Sequence, residues 1–209
     1  MRLIKYSIFS LMFLNQFYSV AQMGPKWENL NYAGDDNLGH LLDIYIPSQG
    51  VGPFPSIITI AGSAWTDNNN KLWAYKYGGQ GEELRKNGFA VVSMNHRSSY
   101  CSNFPAQIHD VKAAVRFIRG NAERFNLSKN FIGIMGYSSG GHLAALMGTT
   151  GGLDQVVEGG KEISIEGQLG SFLNESSHVD AVVDWYGPTN FMISCTEAVS
   201  YTHLRAHET

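Results

Sequence analysis

The residues with the clearest chemical potential in this chain form a Gly-x-Ser-x-Gly motif at positions 136–140, with Ser138 at its centre. An apolar run at 131–135 precedes the motif, and a run of small and apolar residues at 143–147 follows it. This pattern predicts a sharp strand-to-helix turn that lifts the serine hydroxyl clear of a sheet. A serine presented in this way is typical of the nucleophiles of acyl transfer, so Ser138 is the candidate catalytic residue.

Acyl transfer also needs N–H groups that bind the negative oxygen of a tetrahedral intermediate. The first turn of the helix predicted after Ser138 offers the backbone N–H of Ser139. In enzymes built on such a turn, a second donor comes from the loop after an earlier strand. Here that loop is AGSAW, residues 61–65, and it offers the N–H groups of Ser63 and Ala64. The predicted oxyanion hole therefore combines Ser139 with Ser63 or Ala64.

The elements that must position these residues alternate between buried strands and helices. Continuously apolar strands separated by helices predict an α/β fold with a parallel sheet that is covered on both faces. A polar loop is expected at 63–71, and the stretch 151–177 is expected to be an excursion that forms part of a lid or rim. Strands are predicted at 40–47, 54–62, 89–97, 131–138 and 179–187, and helices at 79–88, 106–125 and 139–148.

Length and composition fit one globular domain, because 44% of the 209 residues are hydrophobic. A net charge of -3 without a basic stripe argues against a nucleic-acid partner. Residues 1–21 combine early positive charge, a short apolar core and small residues before Ala21, which predicts a secretory signal peptide rather than a stable membrane anchor. We therefore expect a secreted or periplasmic protein. Export would allow Cys101 and Cys195 to pair, although two widely separated cysteines more often stay unpaired.

Separated blocks of this sequence resemble the α/β-hydrolase serine esterases of the lipase/esterase and acetylxylan/feruloyl esterase group. The blocks occur in the order expected for that group and run from about residue 43 to about residue 191. The resemblance implies an α/β-hydrolase fold and a secreted carboxylic ester hydrolase that acts on acetyl or feruloyl groups of plant polysaccharides. The blocks are DIYIP, GSAW, NHR, FPAQIHDVKAAVRFIRGNA, GIMGYSSGGHLAALMGT and VVDWYGPTNF.

The other two members of a serine triad are not evident in the chain. In this fold the acid and then the histidine follow the nucleophile. His142 lies one helical turn after Ser138, so we expect it to pack or line the pocket rather than to act as base. Asp184 comes one strand too early for the acid. His96 and His109 precede the nucleophile and are expected to be structural.

The C-terminal residues indicate why the acid and the histidine of the triad are not evident. Residues 199–209, VSYTHLRAHET, have no apolar period and look like a non-native tail. His203 and His207 have a metal-ligand spacing, but in such a tail we expect no metal site. The predicted organisation is therefore a signal peptide at 1–21, a partial α/β-hydrolase domain at 22–198 that is incomplete at its C-terminal end, and the tail. Such a chain is expected to be inactive by itself.

The expected reaction is hydrolysis of a small-molecule or polysaccharide ester through an acyl-enzyme, and it calls for no metal or cofactor. The alternatives are a prolyl-oligopeptidase-type peptidase and a non-catalytic binding protein on the same scaffold. Trp65 and His142 are the predicted pocket residues. Trp65, Trp73 and Tyr75 would stack on a sugar or feruloyl ring, or else serve packing, which is the commoner role of such residues.

Overall fold

The computed structural model describes residues 24–190, and these residues form a six-stranded sheet, a separate two-stranded hairpin and five α-helices. The predicted signal peptide and the predicted tail lie outside the described residues. The strands are β1 (Trp27–Asn31), β2 (Leu41–Tyr45), β3 (Phe54–Ile60), β4 (Ala90–Met94), β5 (Leu127–Tyr137), β6 (Gln155–Glu158), β7 (Lys161–Ser164) and β8 (Ala181–Trp185). The helices are α1 (Lys71–Lys76), α2 (Gln80–Lys86), α3 (Ala106–Gly120), α4 (Ala122–Phe125) and α5 (Ser139–Thr149).

The main sheet has the strand order β1-β2-β4-β3-β5-β8. Neighbouring strands from β4 to β8 are parallel, whereas β1 and β2 are antiparallel to their neighbours. The predicted α/β class with a mostly parallel sheet is confirmed. The sequence missed β1 because only part of this strand is sheltered from solvent, so it lacks a continuous apolar run.

Helices cover both faces of the sheet, as predicted. Successive residues of a strand point to opposite faces, and the two cores follow this alternation. Val91 and Tyr45 pack against Tyr75 of α1 on one face. Their neighbours Val92 and Ile44 belong to the larger core, which also contains the apolar residues of α3 and α5.

The helix predicted at 106–125 is interrupted near its end. Asn121 has φ -104° and ψ 14°, so α3 ends at Gly120 and a single turn, α4, follows. The predicted apolar stripe is present, since Ile108, Val111 and Val115 are fully buried.

The excursion at 151–177 is held against α3 by a buried cluster of charges. Lys112 Nζ contacts Glu166 Oε2 at 3.0 Å and the carbonyl of Thr150 at 2.9 Å. Arg116 pairs with the other oxygen of Glu166 and also donates to the carbonyl of Leu169 at 2.9 Å. Two cations on one helix face thus bind one carboxylate of the excursion, which anchors the segment that contains β6 and β7.

Candidate active site

Ser138 lies at the turn between β5 and α5, and it is exposed. Its φ of 52° and ψ of -121° are unfavourable for a residue with a side chain. The turn is fixed on both sides, because the Ser138 N–H donates to the carbonyl of Trp185 at 3.0 Å and its carbonyl accepts the His142 N–H at 3.0 Å. The strand–turn–helix context predicted around the motif is therefore present.

The two motif glycines allow this turn to pack tightly. A Cβ added to Gly136 would overlap the carbonyl of Gly140, and one added to Gly140 would overlap the carbonyl of Ile60. Any larger residue would have to displace main chain rather than a flexible side chain. The start of α5 therefore sits directly on the end of β3.

The sheet register brings the predicted oxyanion loop beside Ser138. Ile60 of β3 pairs with Gly136 of β5, so the chain segments that follow both strands leave the sheet at the same edge. A Cβ on Gly62 would come within 2.6 Å of the Tyr137 carbonyl oxygen and 2.8 Å of Ser138 Cβ. Two regions separated by about 75 residues in the sequence thus form one site.

The N–H, the carbonyl and the hydroxyl of Ser63 are all engaged in hydrogen bonds. Its N–H donates to Ser139 Oγ at 2.9 Å, and its carbonyl accepts the N–H and the hydroxyl of Thr66 at 3.0 and 2.7 Å. Its hydroxyl accepts the N–H of Asp67 at 3.3 Å. Of the two N–H donors predicted in the loop, that of Ser63 is therefore already bound to Ser139 Oγ. The N–H of Ala64 makes no hydrogen bond to another described residue.

The loop and the serine border a common cavity of about 410 Å³, which we call the Ser138 cleft. Trp73, Tyr100 and Tyr186 contribute exposed aromatic surface to it, with 49%, 73% and 64% of each residue exposed. The excursion at 151–177 supplies none of the bordering residues, so its predicted lid or rim role is wrong for this cleft. The bordering residues are Gly62, Ser63, Ala64, Thr66, Trp73, Tyr100, Tyr137, Ser138 and Tyr186.

Of the three aromatic residues considered for stacking, only Trp73 borders the cleft. Tyr75 is buried and stacks on Tyr45 with ring centroids 3.6 Å apart, so a substrate-stacking role for Tyr75 is wrong. Trp65 and His142 were predicted to line the pocket. Neither is among the residues that border the cleft, and their rings pack edge-on against each other with centroids 5.3 Å apart.

Several tyrosines of the site were missed from the sequence. The hydroxyl oxygens of Tyr77 and Tyr186 lie 2.8 Å apart and form a hydrogen bond, although the two residues are 109 positions apart in the sequence. The ring of Tyr137 packs against the rings of both residues. Burial raises the pKa of Tyr137 to about 12, and the neighbouring Tyr186 and Tyr77 add to this effect. The available signal was the WYG at 185–187, where β8 ends, because this strand pairs in parallel with β5 and its end reaches the same edge of the sheet.

His142 has the surroundings of a packed residue rather than those of a base. Burial lowers the pKa of His142, and the nearby charge of Asp184 only partly opposes this effect. Asp184 itself accepts the N–H of Gly187 at 2.7 Å. These contacts agree with the non-catalytic roles expected for both residues.

The other histidines before residue 150 are also held by local partners. His40 Nδ1 contacts Asp35 at 2.8 Å, and its other nitrogen lies 3.4 Å from Asp110. Burial alone would lower the pKa of His40, but hydrogen bonding to these two carboxylates raises it. His96 and His109 contact the carbonyls of Arg97 and Ser164, each at 2.9 Å, which agrees with the structural roles expected for them.

The described residues contain no group of three or more histidines, cysteines or carboxylates arranged to hold a metal ion. Within residues 24–190, no helix has the length and apolarity needed to cross a membrane.

Cys101 is exposed. Cys195, the cysteine with which it was considered to pair, lies outside the described part of the chain, so the pairing stays untested.

The family of this chain is established by a match to a family model. The family model described as BD-FAE matches residues 42–208. The chain belongs to the BD-FAE family. The BD-FAE match includes residues 199–208, whereas the sequence predicts a non-native tail there, and that assignment stays a prediction.

The relatives of this BD-FAE chain include esterases. A solved structure of a truncated form of a carbohydrate esterase from gut microbiota is 51% identical, with a TM-score of 0.75, over 78% of this chain and 56% of that one. Esterase LipC of Mycobacterium tuberculosis is 32% identical over 74% of this chain and 35% of its own length. An acetylxylan esterase of Xylanibacter ruminicola is 29% identical over 62% of this chain and 25% of its own length.

These comparisons confirm the α/β-hydrolase esterase resemblance and the fold class. The matches to the two curated relatives span only about a quarter to a third of the length of those proteins.

Proposed function

We propose that the full-length protein containing this BD-FAE chain is a serine carboxylic ester hydrolase with Ser138 as its nucleophile. The observation that supports this role is the exposed, strained Ser138 at the strand-to-helix turn, in a cleft shared with the 62–66 loop. A hydroxyl held in this way is presented to a ligand rather than packed. The family and the esterase relatives agree with this chemistry.

In the proposed reaction, Ser138 Oγ attacks the ester carbonyl while a histidine takes its proton. The oxygen of the tetrahedral intermediate accepts hydrogen bonds from the backbone N–H groups of Ser139 and Ala64. The histidine then protonates the leaving alcohol. Water attacks the acyl-enzyme in the second half of the reaction and regenerates the serine.

We place the triad histidine and acid outside residues 24–190. His40, His96 and His109 are engaged with other groups, and His142 belongs to the same helix as the turn that it would have to face. His178 lies beside Gly151, past the end of α5 that is farther from Ser138. With residues 199–209 taken as a non-native tail, the 209-residue chain is inactive when it is expressed alone. The predicted signal peptide at 1–21 would direct the full-length protein to the periplasm or the exterior.

The proposed substrates are short acyl or feruloyl esters of carbohydrates. Exposed aromatic faces such as Trp73 and Tyr186 offer stacking surface, and the Tyr77–Tyr186 hydroxyl pair offers hydrogen bonds at the same wall of the cleft. The relatives that are named as a carbohydrate esterase and an acetylxylan esterase support the same substrate class.

The test is to treat the full-length protein with a serine-directed phosphonate and to measure hydrolysis of nitrophenyl acetate. We expect the label on Ser138, and we expect Ser138→Ala to lower kcat on the order of 10⁶-fold, as the loss of a serine nucleophile does. Ser48→Ala, at an exposed position outside the cleft, is the matched control and should leave kcat unchanged.

Two outcomes would contradict the proposal. The absence of label on Ser138 in a folded protein would favour a non-catalytic binding protein. Cleavage of a proline anilide without hydrolysis of nitrophenyl acetate would instead favour a peptidase.

A further inference from the structure

The side chain of Ser139 does more than occupy the first position of α5. Ser139 is only 1% exposed, and its hydroxyl oxygen accepts the N–H of Ser63 at 2.9 Å. This bond joins the residue directly after the nucleophile to the loop that follows β3. It is therefore a direct tie between the two segments from which the oxyanion donors are proposed to come.

The loop end of this tie is rigid. Because the carbonyl of Ser63 holds both the N–H and the hydroxyl of Thr66, Ser63 cannot turn without breaking several hydrogen bonds. The next residues, Ala64 and Trp65, both have left-handed backbone angles, with φ of 50° and 61°. The Trp65 carbonyl is held in turn by the N–H of Ser99 at 2.8 Å.

A loop with two consecutive left-handed residues keeps its shape only where its surroundings fix it. Without an acceptor at Ser139, the N–H of Ser63 would lose its partner and would point into the cleft or toward water. The loop, stiff within itself, would then be free to shift as one unit relative to α5, and the N–H of Ala64 would no longer be held at one distance from that of Ser139.

We propose that the Ser139 hydroxyl is a positioning group for the oxyanion hole: by accepting the Ser63 N–H, it fixes the Ala64 N–H relative to the N–H of Ser139. This inference rests on the proposed esterase function. The hydroxyl of Ser139 touches neither substrate nor reacting atoms in this scheme. Its contribution reaches the transition state through the loop, so its loss should lower kcat and leave KM nearly unchanged.

The test compares Ser139→Ala and Ser139→Cys in the full-length protein. Alanine removes the acceptor, and cysteine keeps the approximate size of serine but is a weak acceptor. We expect kcat for nitrophenyl acetate to fall roughly 10- to 30-fold in both variants, which is less than the 10²–10³ lost when an oxyanion donor is removed. We also expect faster hydrogen exchange at the Ser63 amide, and this readout does not depend on activity.

The control is Ser56→Ala. Ser56 is a fully buried serine of β3, and its substitution removes a hydroxyl without changing the loop. It should change neither kcat nor exchange at Ser63. Ser139 variants that fold and keep kcat within twofold would overturn the proposal, and so would an equal loss of kcat in Ser56→Ala. Failure of the phosphonate to label Ser138 in the unmutated protein would refute the esterase function itself, which is a separate result.

Discussion

Glu166 offers a test of what holds the long excursion in place. The fully buried Lys112 and Arg116 on α3 both direct their charge at this one carboxylate, which is itself 23% exposed and also accepts the hydroxyl of Ser177 at 2.7 Å. In Glu166→Gln the side chain keeps its size and loses its charge. Two buried cations then remain beside a neutral amide.

Removal of one partner from a buried ion pair costs about 3–5 kcal/mol. Because water reaches part of Glu166, we expect the free energy of unfolding to fall by about 2–4 kcal/mol. For a chain of this size that corresponds to a decrease in Tm of roughly 5–15 °C. Urea unfolding followed by tryptophan fluorescence measures the change directly.

The effect should depend on pH in a defined direction. Burial would raise the pKa of Glu166, but hydrogen bonds from Ser177 and Lys112 and the charge of Arg116 hold it below its usual value. A depressed pKa stabilises the folded protein above the pKa of the unfolded chain, and this contribution disappears as the pH falls through the folded-state pKa. The difference between the parent and Glu166→Gln should therefore be largest near neutral pH and should shrink on acidification.

Glu162→Gln is the matched control, since Glu162 lies on the exposed side of β7 in the same excursion. It should change the free energy of unfolding by less than about 0.5 kcal/mol. If Glu166→Gln is no less stable than this control at neutral pH, the excursion is held by its apolar contacts and the ion cluster has no net role.

Two further predictions concern the candidate active site. His142→Asn should keep kcat for nitrophenyl acetate within about tenfold of the parent, because a residue that acts as base would cost on the order of 10⁶; a loss as large as that of Ser138→Ala would make His142 the base. Tyr186→Phe breaks the hydroxyl pair with Tyr77 and should raise KM for an acetylated oligosaccharide about 2- to 10-fold. Its KM for nitrophenyl acetate should stay the same, and equal changes for both substrates would exclude a role in binding the sugar.

Much of the fold was predictable because local patterns determine local structure. The apolar runs of β3, β4 and β5 and the stripe of α3 encode buried strands and a helix in consecutive residues. The elements that were missed, such as β1 and α1, have short or mixed patterns whose partners lie elsewhere in the chain. The break at Asn121 was missed because the apolar period continues through it to Phe125.

The candidate site likewise has features that local sequence predicts and features that only the fold creates. Gly136, Ser138 and Gly140 are close in sequence, so the spacing alone predicts the turn that the structure contains. The Tyr77–Tyr186 pair joins the residue that follows α1 to the residue that follows β8, and only the fold brings these two positions together. No local pattern could have indicated that contact.

The sequence by itself therefore determined the class of fold and the serine on which a reaction would depend, since both are written in periodicity and spacing over a few residues. Only the tertiary structure decided which loop donor is available. The N–H groups of Ser63 and Ala64 are equivalent in the sequence, and they differ only because folding places Ser139 Oγ against the first of them. A hydrogen bond across 76 residues is set by the register of β3 and β5, and that register exists only in the assembled sheet.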